Sequence, residues 1–254
     1  MLLQGKKGLV LNVTNKNSIG WGIAAAAKAH GATVGLGAQN ERMLEGVQKL
    51  VAENPGFDTF TVDFSSDEQL EALAKAVKQK YKSIDFLVHA AAYAPREALQ
   101  GRFLETTREA FNIALDVSCY SLVALCRALE PCMADDASVI TLSYLGSVRA
   151  ARNYNVMGVA KAALESAVRY LAVDLGGRGI RVNALSPGPI NTVSARGVSG
   201  LTDMIEHVRE RAPLKRPVTQ PEVASSAMWL LSDLGVGVTG QVVYVDAGYS
   251  TVAL

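Results

Sequence analysis

Cysteine and histidine are scarce in this chain, with three of each in 254 residues. Cys119, Cys126 and Cys132 crowd onto one mostly helical stretch. An odd number so placed argues against a disulfide framework, and Cys119 and Cys126, about two helical turns apart, are beyond disulfide reach. No His/Cys cluster has metal-ligand spacing, so no metal centre is expected, and His30, His89 and His207 read as structural or solvated. An excess of either charge is also missing: 25 Lys and Arg face 24 Asp and Glu, a formal net charge of +1. Such a balance carries no electrostatic footprint for nucleic acid or an anionic membrane. No apolar run approaches the ~20 residues of a membrane span, and the opening MLLQGKKGLVLNV lacks a signal-peptide pattern;. A reducing, cytoplasmic setting is the expectation. Long linkers, internal repeats and a G-x-G-x-x-G fingerprint are absent as well.

What the chain does have is alternation. Apolar runs of strand length fall at Gly8–Val13, Thr33–Leu36, Thr59–Val62, Ile84–His89, Ser138–Leu142, Arg181–Leu185 and Gln241–Val245. Between them, Ser18–His30, Glu41–Glu53, Asp67–Lys82 and Glu222–Leu231 carry a helical period;. Strands alternating with helices imply a parallel sheet covered on both faces. The expectation is an α/β fold in one domain spanning residues 1–254: a Rossmann-like, doubly wound parallel sheet of about seven strands with helices on both faces.

The most informative stretch is Thr141–Glu165, TLSYLGSVRAARNYNVMGVAKAALE. It closes one strand and opens a long helix, expected from about Asn155 to Leu175. With Tyr154 at the head of that helix, Lys161 follows after about 700° of rotation, about 20° short of two turns. Phenol and ammonium then share one face, and a nearby cation lowers the cost of giving up a phenolic proton. Alone, the pair is equally a tyrosine at a helix start and an exposed lysine. In open α/β sheets, however, ligands bind at the carboxyl ends of the strands, where helix N-termini point their N–H groups outward. The first such turn, Asn12 to Gly22, offers small and polar residues, Ser18 as a helix cap and Gly20 and Gly22 for close packing;. The first strand runs into Asn12, a residue type that tolerates positive φ;. The second strand ends at Gln39, with no basic residue until Arg42. That favours NADH over NADPH at the adenosine ribose, with NADPH still possible.

At these residues the sequence resembles a known family. Ser143-Tyr144-Leu145-Gly146, Tyr154-Asn155-Val156-Met157-Gly158 and Ala160-Lys161-Ala162 resemble the active-site segment of enoyl-acyl-carrier-protein reductases, a branch of the short-chain dehydrogenase/reductase superfamily. Most of that superfamily uses Tyr-x3-Lys, whereas this branch uses Tyr-x6-Lys. Here Gly158 stands where the shorter spacing puts its lysine. The resemblance implies Tyr144, Tyr154 and Lys161 as catalytic residues. It implies a cofactor site of Asn12, Ser18, Ile19, Gln39, Asp63, Phe64, Ala91, Lys161, Ile190, Asn191, Thr192, Val193 and Ser194, with Ala94 touching substrate. In it Asp63-Phe64 contact adenine, Ile190 offers its backbone to the carboxamide and Thr192 its hydroxyl to phosphate. The implied reaction is NADH-dependent reduction of the trans-2 double bond of an enoyl thioester, the last step of fatty acid elongation. The implied partners are an acyl carrier protein and three further copies of the chain in a homotetramer built on the helices near Thr106–Glu130 and after Asn155. A substrate lid is expected over about 192–212, with a basic rim of Arg196, Arg209, Arg211, Lys215 and Arg216 for the acidic carrier. Two rivals remain. A carbonyl reductase of the same superfamily, acting on 3-oxoacyl or alcohol substrates, is opposed by Gly158 and by Thr141 where ketone reductases place a serine. A non-catalytic NAD(P) sensor is opposed by the retained tyrosines and lysine.

Overall fold

The apolar runs lie side by side and all point one way. The computed structural model describes residues 1–193, 195–197 and 199–252. Its strands are β1 (Lys7–Leu11), β2 (Thr33–Ala38), β3 (Phe57–Thr61), β4 (Ile84–His89), β5 (Met133–Leu142), β6 (Arg181–Pro187) and β7 (Val242–Val245). They form a single sheet in the order β3-β2-β1-β4-β5-β6-β7, every neighbouring pair parallel. Leu9, Val10 and Leu11 are all fully buried. A central strand covered on both faces reads as an unbroken hydrophobic run for this reason.

Eight α-helices are described: α1 (Ile19–Ala29), α2 (Glu41–Glu53), α3 (Asp67–Tyr81), α4 (Arg108–Leu115), α5 (Ser121–Leu129), α6 (Val156–Gly176), α7 (Leu201–Arg211) and α8 (Gln220–Leu231). Helices α1, α2 and α8 cover one face, where Ile23, Val47 and Leu230 join Val10 and Val34 in one core layer. Helices α3, α5 and α6 cover the other, where Leu70, Leu122 and Leu164 join Leu9 and Val139. Because β1 lies between β2 and β4, the connections leaving its two neighbours part in opposite directions. The crevice that opens there is where such sheets bind ligands.

The structure departs from the sequence expectations in three places. Strand β5 starts at Met133 rather than Ser138, its first part carrying Asp135 and Asp136 in the open, with Asp136 at φ 62°. The single helix expected over 106–130 is two helices joined by a π-turn, Asp116–Tyr120. A π-turn inserts a residue and resets which side chains face inward. Here it buries Ser118, whose Oγ accepts from the Tyr93 N–H at 2.9 Å and fixes the loop after β4. The whole stretch Arg108–Cys132 is long and apolar enough to cross a membrane, which the run-length reading did not anticipate, yet half of its apolar window is buried inside the fold, as in a core helix.

One polar cluster lies wholly inside. His89, at the end of β4 and 0% exposed, sits 2.8 Å from Thr141 Oγ1 through Nδ1 and 2.8 Å from Ser121 Oγ through Nε2. The Ser121 hydroxyl donates to the Val117 carbonyl at 2.7 Å. Its single proton is therefore committed, so Nε2 carries the ring proton and Nδ1 accepts from Thr141. Burial, reinforced by the Lys161 charge, pushes His89 down to about 3. An unfolded histidine titrates near 6.5, so between pH 6.5 and 3 the unfolded chain binds a proton that the folded chain refuses. Stability is therefore expected to be complete above pH 6.5 and to fall by up to about 1.4 kcal/mol per pH unit below it. Urea unfolding at pH 7.0, 6.0 and 5.0, before most carboxylates titrate, measures that slope.

Candidate active site

At the carboxyl ends of β1, β4, β5 and β6 the sheet opens into a cavity of about 490 Å³. Asn12 begins its floor. It takes φ 69°, donates its N–H to the Gly37 carbonyl at 2.9 Å and its Nδ2 to the Ala90 carbonyl at 3.0 Å. The left-handed turn that glycine would supply is thus made by asparagine, and the side chain adds a tie between the ends of β1 and β4. Ser18 caps α1, its Oγ accepting from the Trp21 N–H at 3.2 Å. The unpaired first-turn amides and positive end of α1 meet the cavity at Ile19 and Gly20;.

The opposite wall is the segment from β5 to α6. Tyr144 and Tyr154 both line the cavity with ring centroids 4.8 Å apart, edge to face at 62°. Tyr154 is not in the helix as expected. Asn155, at φ 41° and ψ −121°, separates it from α6, which begins at Val156. An ideal helical count from Tyr154 to Lys161 therefore does not apply, although both residues line the same cavity.

Two glycines set this arrangement. A Cβ on Gly158 would lie 2.7 Å from the Gly146 carbonyl oxygen, and one on Gly146 would lie 2.5 Å from the Tyr154 ring and 3.2 Å from that of Tyr144. The turn carrying Tyr144 thus rests on the first turn of α6 and on both rings at once.

Lys161 is 4% exposed, and its Nζ donates to the Leu142 carbonyl at 2.6 Å. Burial brings it down to about 8, with Cys119 and Glu165 opposing that shift. Tyr154 moves opposite to the sequence expectation. Burial pushes its phenol up, and Tyr144 and Glu165 add to the rise. All three influences act in the same direction, so Tyr154 is held as a proton-bearing phenol. Burial likewise raises Tyr144, with a smaller push from Tyr249.

Of the other sequence-assigned residues, Asn12, Ser18, Ile19, Gln39, Ala94, Ile190, Thr192 and Val193 line the cavity. Four lie off its lining. Asp63 accepts from the Ser65 N–H and hydroxyl at 3.0 and 2.7 Å. Phe64 is 2% exposed in the core, edge-on to His89. Ala91 is 2% exposed, while Asn191 accepts from Arg196 Nε at 2.9 Å. Ser194 lies outside the described residues. Leu99, Met157, Leu201 and Met204 complete an apolar wall that sequence reading did not assign. Their apolar character on helices made them indistinguishable from core. Among the described residues, no group of three His, Cys, Asp or Glu side chains is placed to hold a metal.

A family model described as enoyl-(acyl carrier protein) reductase matches residues 13–250. The chain belongs to the enoyl-acyl-carrier-protein reductase family. An NADH-dependent enoyl-acyl-carrier-protein reductase of a Nostoc species is 47% identical, the alignment covering 99% of each chain. Among solved structures, the Bacillus cereus enoyl-acyl carrier protein reductase with NADP+ and an indole naphthyridinone superposes with a TM-score of 0.97 at 43% identity, over 100% of this chain and 99% of that one. The Anaplasma phagocytophilum reductase in complex with NAD gives 0.95 at 40% identity, over 100% and 95%.

For a member of this enoyl reductase family the cavity lining has a coherent chemistry. It runs from Gln39, at the strand end suited to a ribose, past the positive end of α1, suited to a pyrophosphate, to the buried cation of Lys161;. The residues present therefore fit a nicotinamide dinucleotide. Thr141, at the ketone-reductase serine position, is 0% exposed with its hydroxyl committed to His89. It cannot polarise a substrate carbonyl.

The glycine contact is testable. Gly158→Ala is expected to displace the 145–147 turn and with it both tyrosines, lowering kcat about tenfold or more while leaving a folded protein. Steady-state turnover together with a thermal melt reads both.

Proposed function

We propose that this chain reduces the trans-2 double bond of enoyl-acyl-carrier-protein thioesters with NADH, and that Tyr154, Lys161 and Tyr144 carry the chemistry. The observation that carries the reading is the pair of cavity-facing tyrosines beside a buried lysine in a family-matched frame. NADH, when bound, supplies the hydride that adds to the β-carbon of the thioester. Electron density then moves to the thioester oxygen, and a proton taken up at the α-carbon, ultimately from solvent, completes the reduction. Tyr154 donates a hydrogen bond to that oxygen, and its raised pKa keeps the donor proton in place. Such a preorganised donor contributes about 3–4 kcal/mol to the transition state. Lys161 spends one of three N–H donors on Leu142, leaving two for the cofactor's ribose hydroxyls;. Tyr144 faces the thioester from the other side of the ring pair. Ile190 and Thr192 close over the nicotinamide end, and Leu99, Met157 and Met204 give an acyl chain an apolar wall.

The lid reading rests on the segment after β6. The turn Ala195–Gly197 and helix α7, entered through Gly200 at φ 83°, bring Leu201 and Met204 to the cavity. The acidic carrier protein docks near this mouth, but the expected basic rim is partly spent. Arg209 pairs with Glu206 at 2.6 Å and Arg216 with Glu222 at 2.6 Å. Arg196, Arg211 and Lys215 are the rim cations outside ion pairs among the described residues. The homotetramer reading rests on exposed apolar side chains, Tyr170 and Val173 on α6 with Tyr120 beside α5, and Tyr244 on β7. The proposed setting is the cytoplasm.

NADH consumption on a crotonyl or longer enoyl thioester tests this function. Tyr154→Phe is expected to cost about 10²–10³ in kcat. No turnover with NADH or NADPH, in protein that still binds NADH, overturns the assignment. Lys161 is charged below its pKa, so kcat/KM is expected to fall as pH rises through about 8, a limb absent from Lys161→Ala.

A further inference from the structure

We infer that Glu165 is a positioning residue for the reduction: its buried carboxylate clamps both ends of the turn carrying Tyr144 and balances the buried charge of Lys161. The inference rests on the roles assigned above to Tyr144 and Lys161.

Glu165 lies one helical turn beyond Lys161 on α6 and is 6% exposed, between the buried Leu164 and Val168. An apolar residue would fill such a site without desolvating a charge, so packing does not account for a glutamate. Its Oε1 accepts from the Ser143 hydroxyl at 2.5 Å and from the Ser147 hydroxyl at 2.6 Å. Those serines bracket Tyr144, Leu145 and Gly146. Lys161 holds the carbonyl of Leu142, immediately upstream, at 2.6 Å. Thus α6 grips one six-residue segment at three points through two side chains, one cationic and one anionic. Gly146, just before Ser147 in that segment, leaves no room for a Cβ beside the rings of both tyrosines, so slack in the clamp passes directly to the reacting groups.

The charges are organised around the same pair. Facing Lys161 are His89 from β4, held neutral, and the Cys119 thiol from the π-turn. Facing Glu165 are Tyr154 from the turn before α6 and Tyr244 from β7, which in turn feels Asp246 and Arg149. Among the described residues no lysine or arginine pairs directly with Glu165, so its field acts on Lys161 through the helix face rather than through a contact ion pair. Its negative charge favours the protonated lysine.

Three variants separate clamp from charge, read by turnover, pH profile, thermal melt and NADH binding. Glu165→Ala loses both functions and is expected to lower kcat 10- to 100-fold, with KM for NADH changed less than threefold. Glu165→Gln keeps an acceptor oxygen but no charge. It is expected to rescue at least half of the lost kcat at pH 6.5 while moving the alkaline limb of kcat/KM to lower pH. The double variant Ser143→Ala/Ser147→Ala keeps the charge and loses the clamp. Its kcat is expected to fall while its alkaline limb stays in place, and it tests the clamp if Glu165→Ala fails to fold. Wild-type kcat in the folded double variant, or an unmoved limb in Glu165→Gln, overturns the inference. Tyr154→Phe and Lys161→Ala run alongside: if these keep full activity, the assignment of the site is wrong. If only the Glu165 and serine variants do, the inference alone is wrong.

Discussion

A charged lysine inside the protein is the constraint around which the active end of this molecule is built. Taking an ammonium out of water is costly unless its hydrogen bonds and charge are met. Lys161, 4% exposed, meets that demand with a carbonyl at the end of β5 and a carboxylate one turn along its own helix, and its charge helps keep a buried histidine neutral. Each of those groups fixes something else. The carbonyl fixes the end of the strand, the carboxylate the turn carrying Tyr144, and the histidine the hydroxyl of Thr141. The arrangement of the site thus follows from where one cation is buried.

The parallel sheet determines that this happens beside a ligand cavity. With β1 between β2 and β4, connections diverge at one edge of the strand ends and leave a crevice, and the positive end of α1 points into it. The cavity is lined from different strands: Asn12, Ser18 and Gln39 after β1 and β2, the tyrosines after β5.

Much of this was legible in the sequence, and the rest was hidden for identifiable reasons. Seven strands announced themselves because buried parallel strands are unbroken apolar runs. Strand β5 started early because Asp135 and Asp136, exposed at the sheet's amino end, look like loop residues. The π-turn was invisible because the apolar pattern continues through Cys119 and Tyr120 without a glycine or proline to mark it. Tyr154 and Lys161 were legible as a pair, but not the break at Asn155 between them, since positive φ there depends on the turn against Gly146. The sign of the Tyr154 shift was misjudged because a sequence displays a neighbouring charge and conceals desolvation. Glu165 had a signal that sequence reading passed over: an acid among apolar residues one turn after a functional lysine.

The contact between Gly146 and Gly158 bears on how such a site arises over evolutionary time. A lysine at 158 would recreate the shorter tyrosine–lysine spacing of the wider superfamily, yet its Cβ would meet a backbone oxygen at 2.7 Å. Backbone cannot swing aside as a flexible side chain can, so a sequence carrying both lysines would first have to rebuild the Tyr144 turn. The two spacings are therefore separated by a valley that no single substitution crosses. A lineage that has packed these glycines together is sterically committed to its branch.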